Sequence, residues 1–265
     1  MAKTSFDFPF NNNLGDMSIY KLRGVNKLII RGKGGANDRK IKTAPEFETV
    51  RLGNNEFGGC AKAGSKIYKC LRPIKHLADH HFMGGIQKIC TTIRDMDTAH
   101  FLGQRSILFS QHSQIMPGYS LNKEITFDSV IKYSPALTIS RANLRATLSF
   151  PGLYPKINMT NPWNQHYFRF VSLLGIVPDM IHTPEGYKPA NEAVTCNSVK
   201  DVSEWFFTAN VCPERIVSLI FGADSFLDAN GSLIVSVGIE FGNVGYNGLI
   251  KPVKLIGCGK ILGVG

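Results

Sequence analysis

Along this 265-residue chain the spacing of apolar and polar positions changes character twice. Residues 17–22 and 27–31 are two short β-type runs separated by Arg23-Gly24-Val25-Asn26, which predicts a hairpin. Gly32, Gly34 and Gly35 then break the pattern. Farther on, apolar or small residues recur at Phe47, Val50, Phe57, Ala61, Gly64, Ile67 and Leu71, a spacing close to helical. Thr43 with Glu46 three residues later reads as a capping box at its start, Pro45 lies in the first turn, and Pro73 ends or kinks the helix. A second helix is expected over residues 76–97, on Leu77, Met83, Ile86, Ile89, Cys90 and Ile93, so that the pair forms an antiparallel helical hairpin.

From about residue 106 the pattern becomes that of strands. Residues 136–141 and 144–150 read as a hairpin around Ala142-Asn143, and 167–174, 205–211, 215–221 and 233–241 are β-branched or aromatic runs bounded by turn residues. Residues 249–264 add one or two more strands. At least seven short strands predict an antiparallel β-sandwich of immunoglobulin-like outline, although the Cys…Trp…Cys pattern of true immunoglobulin domains is not present. The expected fold is therefore α+β. A basic hairpin and two-helix module (residues 17–105) precedes a β-sandwich (106–265), and residues 1–16 form a polar arm carrying Phe6, Phe8 and Phe10.

Apolar content of 43% with 10% aromatics excludes a disordered chain. The net charge of +10 is unevenly placed: residues 1–110 hold 18 Lys+Arg against 9 Asp+Glu, and residues 111–265 hold 12 against 11. Nearly all the excess is thus N-terminal, which suits an acidic partner or simply a soluble surface. Arg23, Lys27, Arg31, Lys33, Arg39, Lys40 and Lys42 are the candidate phosphate contacts, because backbone phosphates need only positive charge and exposed N–H groups. Tyr20 is the single candidate there for base stacking, which disfavours single-strand recognition. The Gly32-Lys33-Gly34-Gly35 turn satisfies neither the Walker A nor the dinucleotide-binding spacing.

Glycines 58, 59 and 64 with Ala61 and Ala63 are poor helix formers, each glycine costing about 1 kcal/mol relative to alanine. They make sense where another backbone approaches closely, and Phe57, Gly58, Ala61 and Gly64 are the candidate self-association face, together with Phe6, Phe8 and Phe10 of the arm. The six cysteines form no CxxC pair, no run reaches the length of a membrane span, and the first residues lack a secretory h-region. The expectation is a reduced chain, cytoplasmic or inside an assembled particle. His76, His80 and His81 with Asp79 and Cys70 are the most metal-like group, yet a solvated helix segment explains them as well, and no metal or cofactor is expected. No GxSxG elbow or catalytic cysteine context appears. Trp163 and Trp205 could line a ligand groove but read more simply as core.

One stretch carries a family likeness. Arg31, Gly34-Gly35, Arg39, Ile41, Phe47, Arg51, Asn54, Glu56-Phe57-Gly58, Ala61 through Gly64, and Leu71-Arg72 resemble the opening module of a family that occurs in many copies in Bacteroidota genomes. The likeness continues at Gly103-Gln104-Arg105, at residues 137–141 and 166–172, and more faintly at 237–241, while the histidines at 76–81 and the glycine-rich tail depart from it. The family is a domain of unknown function, so the resemblance implies an architecture and no activity. The expected role is a non-enzymatic structural or assembly protein forming homo-oligomers, with nucleic-acid association through the basic module as the alternative. No membrane or small-molecule partner is expected.

Overall fold

The computed structural model describes residues 13–14, 17–21, 28–32 and 34–265. Phe6, Phe8, Phe10, Arg23, Lys27 and Lys33 lie outside them. The chain divides into two compact units, residues 1–51 and 52–265.

In the first unit, β1 (Asn13–Leu14), β2 (Met17–Lys21) and β3 (Leu28–Gly32) form an antiparallel sheet in that order, with Ile19 opposite Ile30. The hairpin expected at 17–31 is thus present. It is followed by a short helix α1 (Asp38–Thr43) that the sequence pattern did not suggest. Asn37 caps it, its side-chain oxygen accepting from the Lys40 N–H at 2.8 Å. The capping box expected at Thr43 and Glu46 does not form: Thr43 closes α1, its hydroxyl donating back to the Arg39 carbonyl at 2.8 Å. A 3-10 turn, Pro45–Phe47, intervenes before the long helix. The Arg51 guanidinium reaches back to the carbonyls of Ile41 and Ala44 at 2.9 and 2.8 Å, satisfying the end of α1.

The second unit begins inside α2 (Glu48–Leu71), whose Glu56, Gly59, Cys60, Ala63, Gly64, Ile67, Cys70 and Leu71 are buried at helical spacing. Pro73 lacks a backbone N–H, and the chain passes from α2 into a 3-10 turn, Arg72–Leu77. The second helix consequently starts late: α3 is Met83–Asp95, not 76–97. Asp79, inside the expected helix, instead accepts from the N–H groups of Lys123 and Glu124 at 2.8 and 3.0 Å, holding a loop. A further short helix, α4 (Phe127–Val130), is capped by Thr126.

Ten strands follow: β4 (Ala136–Ser140), β5 (Arg145–Phe150), β6 (Tyr167–Pro178), β7 (Met180–Thr183), β8 (Gly186–Pro189), β9 (Asn197–Val202), β10 (Phe206–Phe207), β11 (Arg215–Ile220), β12 (Gly231–Val244) and β13 (Ile250–Val264). The pairings between these strands are antiparallel. β6, β12 and β13 form the spine of a five-stranded sheet in the order β10-β6-β12-β13, with β9 also paired to β6; β11, β5 and β4 form a three-stranded sheet, and β7-β8 a hairpin. The segment expected as a strand at 205–211 is only the two-residue β10, and β7 to β9 had no expected counterpart.

β6 and β12 are apolar almost without interruption because both faces of their sheet are covered. Phe168, Phe170, Leu174, Leu233, Val235, Val237 and Phe241 share one core with Ala146, Leu148, Phe150, Val217 and Leu219 of the three-stranded sheet. Val171, Leu173, Val177, Ile234 and Ile261 share another with Ile67, Leu71, Ile74, Ile86 and Ile93. The helical pair therefore folds onto the sheet. The division of the chain falls between Arg51 and Leu52, and α2 and α3 share this core with the sheet. Fold class is mixed α+β with antiparallel sheets and a helical hairpin.

Candidate functional site

The basic segment comes first along the chain. No residue of α1 is buried, so Arg39, Lys40 and Lys42 all project into solvent within six residues, and Arg31 is exposed on β3. Lys40 pairs with Glu46 at 3.2 Å and lies 5.8 Å over the Phe47 ring; Lys42 pairs with Asp38 at 3.8 Å. Exposed pairs of this kind contribute about 0–1 kcal/mol, little enough for a phosphate to displace them.

The small-residue face of α2 turns out to serve the chain's own packing. A Cβ on Gly64 would meet Ile86 of α3 at 3.4 Å, and one on Gly59 would sit 2.6 Å from the Tyr187 ring. The close approach that the glycines suggested is thus made by α3 and by β8, and Gly64 is unavailable to another copy. Ala61 is half-buried. Phe57, 61% exposed, and Gly58, with open space around it, remain on the surface.

Glu56 of α2 and Arg105, 49 residues on, are brought together by the structure. The Glu56 side chain is 1% exposed. Its Oε1 accepts from the Gly103 N–H and from Arg105 Nε, both at 2.8 Å, and its Oε2 accepts from Arg105 Nη2 at 2.6 Å. Arg94 of α3 stands 3.4 Å away. Burial alone would raise the Glu56 carboxyl; the hydrogen bonds from Arg105 and Gly103 and the charges of Arg105 and Arg94 outweigh it and hold the group below its ordinary range. Asn55 Nδ2 donates to the Gly103 carbonyl at 2.9 Å, and the Tyr187 hydroxyl donates to the Arg105 carbonyl at 2.7 Å. This is a clamp that fixes the 103–105 turn against α2.

The histidines do not converge. His76 Nε2 lies 2.5 Å from Glu240 Oε1, His80 pairs with Asp79 at 2.6 Å, and Cys70 points instead at Cys196. Among the described residues no group of three or more His, Cys, Asp or Glu side chains could hold a metal ion. Glu240 also accepts from Arg169 Nε at 2.7 Å, and the Arg169 guanidinium stacks 4.4 Å from the Trp205 ring. Burial pushes Glu240 up, but His76 and Arg169 together bring it below the usual carboxylate value. Trp163 packs on Phe241 with ring centres 5.1 Å apart, so both tryptophans are engaged by the protein itself.

A cavity of about 640 Å³ beside the 155–164 loop is lined by Thr160, Asn161 and Thr208, among others. Three of its polar groups are paired within the chain: Thr160 to the Ser129 carbonyl, Asn161 and Thr208 to Gln165.

Apolar exposure concentrates elsewhere. On β11, Val217 and Leu219 point inward while Ile216 (73% exposed) and Ile220 point out. β11 ends the order β11-β5-β4 and, among the described residues, pairs only with β5. Among the described residues its outer edge thus has no strand partner, and it carries two isoleucines. At the far end of the β12-β13 hairpin, Val244, Tyr246 and Leu249 are also exposed. Nothing in the sequence marked these positions, since the alternation of Arg215 to Ile220 is apolar on both faces and names no side as solvent. The chain matches no protein-family model, no curated protein and no solved structure.

Proposed function

We propose that this chain is a non-enzymatic structural protein that self-associates through the open edge of β11. The observation that carries the reading is the coincidence, on one strand, of an unpaired edge with exposed Ile216 and Ile220. A second copy adding its own β11 antiparallel would complete the backbone pairing and set the isoleucines of the two copies side by side as cross-strand neighbours in a two-fold, self-complementary contact. Phe57 with Gly58 on α2, and the β12-β13 hairpin tip, supply further apolar contact points. The sheet pair is read as an immunoglobulin-like sandwich. Its support is the strand order, in which β4, β5 and β11 occupy one sheet and β6, β12 and β13, with β9 and β10 beside β6, the other.

Replacing Ile216 and Ile220 together with lysine removes roughly 0.2–1 kcal/mol per cross-strand pair and sets like charges opposite one another across the contact. The double variant is expected to associate at least tenfold more weakly by sedimentation equilibrium, with an unchanged circular-dichroism spectrum. Association equal to that of the unmodified protein would sink the β11 reading.

Nucleic-acid association is the second reading, favoured by the full exposure of Arg39, Lys40 and Lys42 on α1. It predicts DNA or RNA binding that weakens steeply with salt. Reversing these three charges to glutamate should lower the slope of log affinity against log salt by about two to three. Salt-insensitive binding, or none, removes this reading and leaves the first untouched.

A further inference from the structure

Four of the six cysteines are inert by position. Cys60, Cys90 and Cys258 are fully buried, and Cys212 nearly so. Burial raises the thiols of all four, that of Cys212 to about 11.

Cys70 and Cys196 differ. Cys70 sits in the last turn of α2, buried, with its Sγ 3.4 Å from Sγ of Cys196. Cys196 immediately precedes β9 and is half-buried, whereas Cys70 is buried. The two are 126 residues apart in sequence and join the helical layer to the edge of the five-stranded sheet. Hydrogen bonds align them: the Cys196 thiol lies 3.0 Å from the Lys66 carbonyl, and Cys70 Sγ lies 3.3 Å from that of Ile176. The hydrogen bond from Cys70 lowers the Cys196 thiol against the effect of burial, and the charges of Lys66 and Lys69 act in the same direction; Cys70 is pushed well up by the same contact and by burial.

We infer that Cys196 and Cys70 form a redox-active dithiol, with Cys196 as the attacking and Cys70 as the resolving cysteine, whose co-reactant is a low-molecular-weight disulfide. The thiolate of Cys196 attacks one sulfur of oxidised glutathione, forming a mixed disulfide and expelling one glutathione thiolate, which takes up a proton. Cys70 then gives up its proton and attacks the Cys196 sulfur, forming the internal disulfide and expelling the second glutathione. The protein dithiol loses two electrons and two protons, and the glutathione disulfide gains both. Van der Waals contact between the sulfurs means that closure needs only a small approach, whereas distant cysteines would require backbone movement.

The test uses the full chain, equilibrated with mixtures of reduced and oxidised glutathione and quenched with a thiol alkylator. Mass spectrometry should show free thiols falling from six to four, with one peptide pair linked through Cys70 and Cys196. The Cys70→Ser variant should stop at one glutathione adduct on Cys196, and the Cys196→Ser variant should form neither adduct nor disulfide while retaining the native circular-dichroism spectrum. Six thiols persisting until the chain unfolds would overturn the inference, as would a disulfide between other cysteines or a Cys70→Ser protein without its adduct.

Discussion

Replacing Glu56 with alanine is expected to destabilise the protein by up to about 3–5 kcal/mol, because it takes from the half-buried Arg105 and Arg94 the buried carboxylate that pairs with both and leaves them only the exposed Asp95. The loss should exceed any from the exposed ion pairs; Glu185→Ala, which removes the partner of Lys188 on the surface, should cost under about 1 kcal/mol. Urea denaturation of both variants makes the comparison, and equal midpoints would show that the clamp does not support the fold. The pH dependence has a definite sign. The folded Glu56 carboxyl lies below its ordinary value of 4.5, so its contribution is fully present above that value and is lost as pH falls through the lowered one. Glu56→Gln, which cannot titrate, should therefore be the less stable protein at pH 7 and lose less further stability than the unmodified protein on acidification below about pH 5.

Gly257→Ala is expected to be comparably damaging for a different reason. Gly257 has φ +144°, and a Cβ there would stand 2.4 Å from the backbone oxygen of Ile239 and 2.7 Å from Leu77. The strained backbone and the clash each cost about 1–3 kcal/mol, and neither neighbour can swing away, since one is main chain and the other is core. Gly257 also ends the irregular stretch of β13, where pairing with β12 jumps from Pro252 opposite Gly242 to Gly257 opposite Glu240. Asn122 reads that geometry: its side chain donates to the Leu77 and Gly257 carbonyls and accepts from the Gly259 N–H. A control separates the two costs. Gly248 also has positive φ (+75°) but open space around it, so Gly248→Ala should lose only about 1–2 kcal/mol. Similar losses at both glycines would show that the clash is absorbed.

Much of the local structure was legible because local physics decides it. The hairpin at 17–31, the helical spacing of α2 and the alternation of β4 and β5 all followed from residue period and turn chemistry. What escaped was set by distant partners. The apolar run at the end of β6, residues 173–178, did carry a signal, for a strand facing water on one side would alternate, and its lack of alternation announced a second covering layer. The helices provide that layer, so the small residues of α2 meet α3 and Tyr187 inside the chain, where the sequence alone suggested another copy. Glu56 and Arg105 stood out only as members of two similar segments, and no local rule links residues 49 positions apart. The same holds for Cys70 with Cys196 and for His76 with Glu240. The expected capping box failed because Thr43 was already committed to the end of α1, a helix too short to announce itself by period.

Self-association through β11 is settled by absolute mass from light scattering after size exclusion, over a range of concentrations, with the 260/280 nm absorbance ratio read on the same peak. A mass of two or more chains of 29.2 kDa, free of nucleic acid and reduced to one chain by the Ile216→Lys/Ile220→Lys double variant, is the predicted result. A single-chain mass for the unmodified protein at every concentration would contradict it.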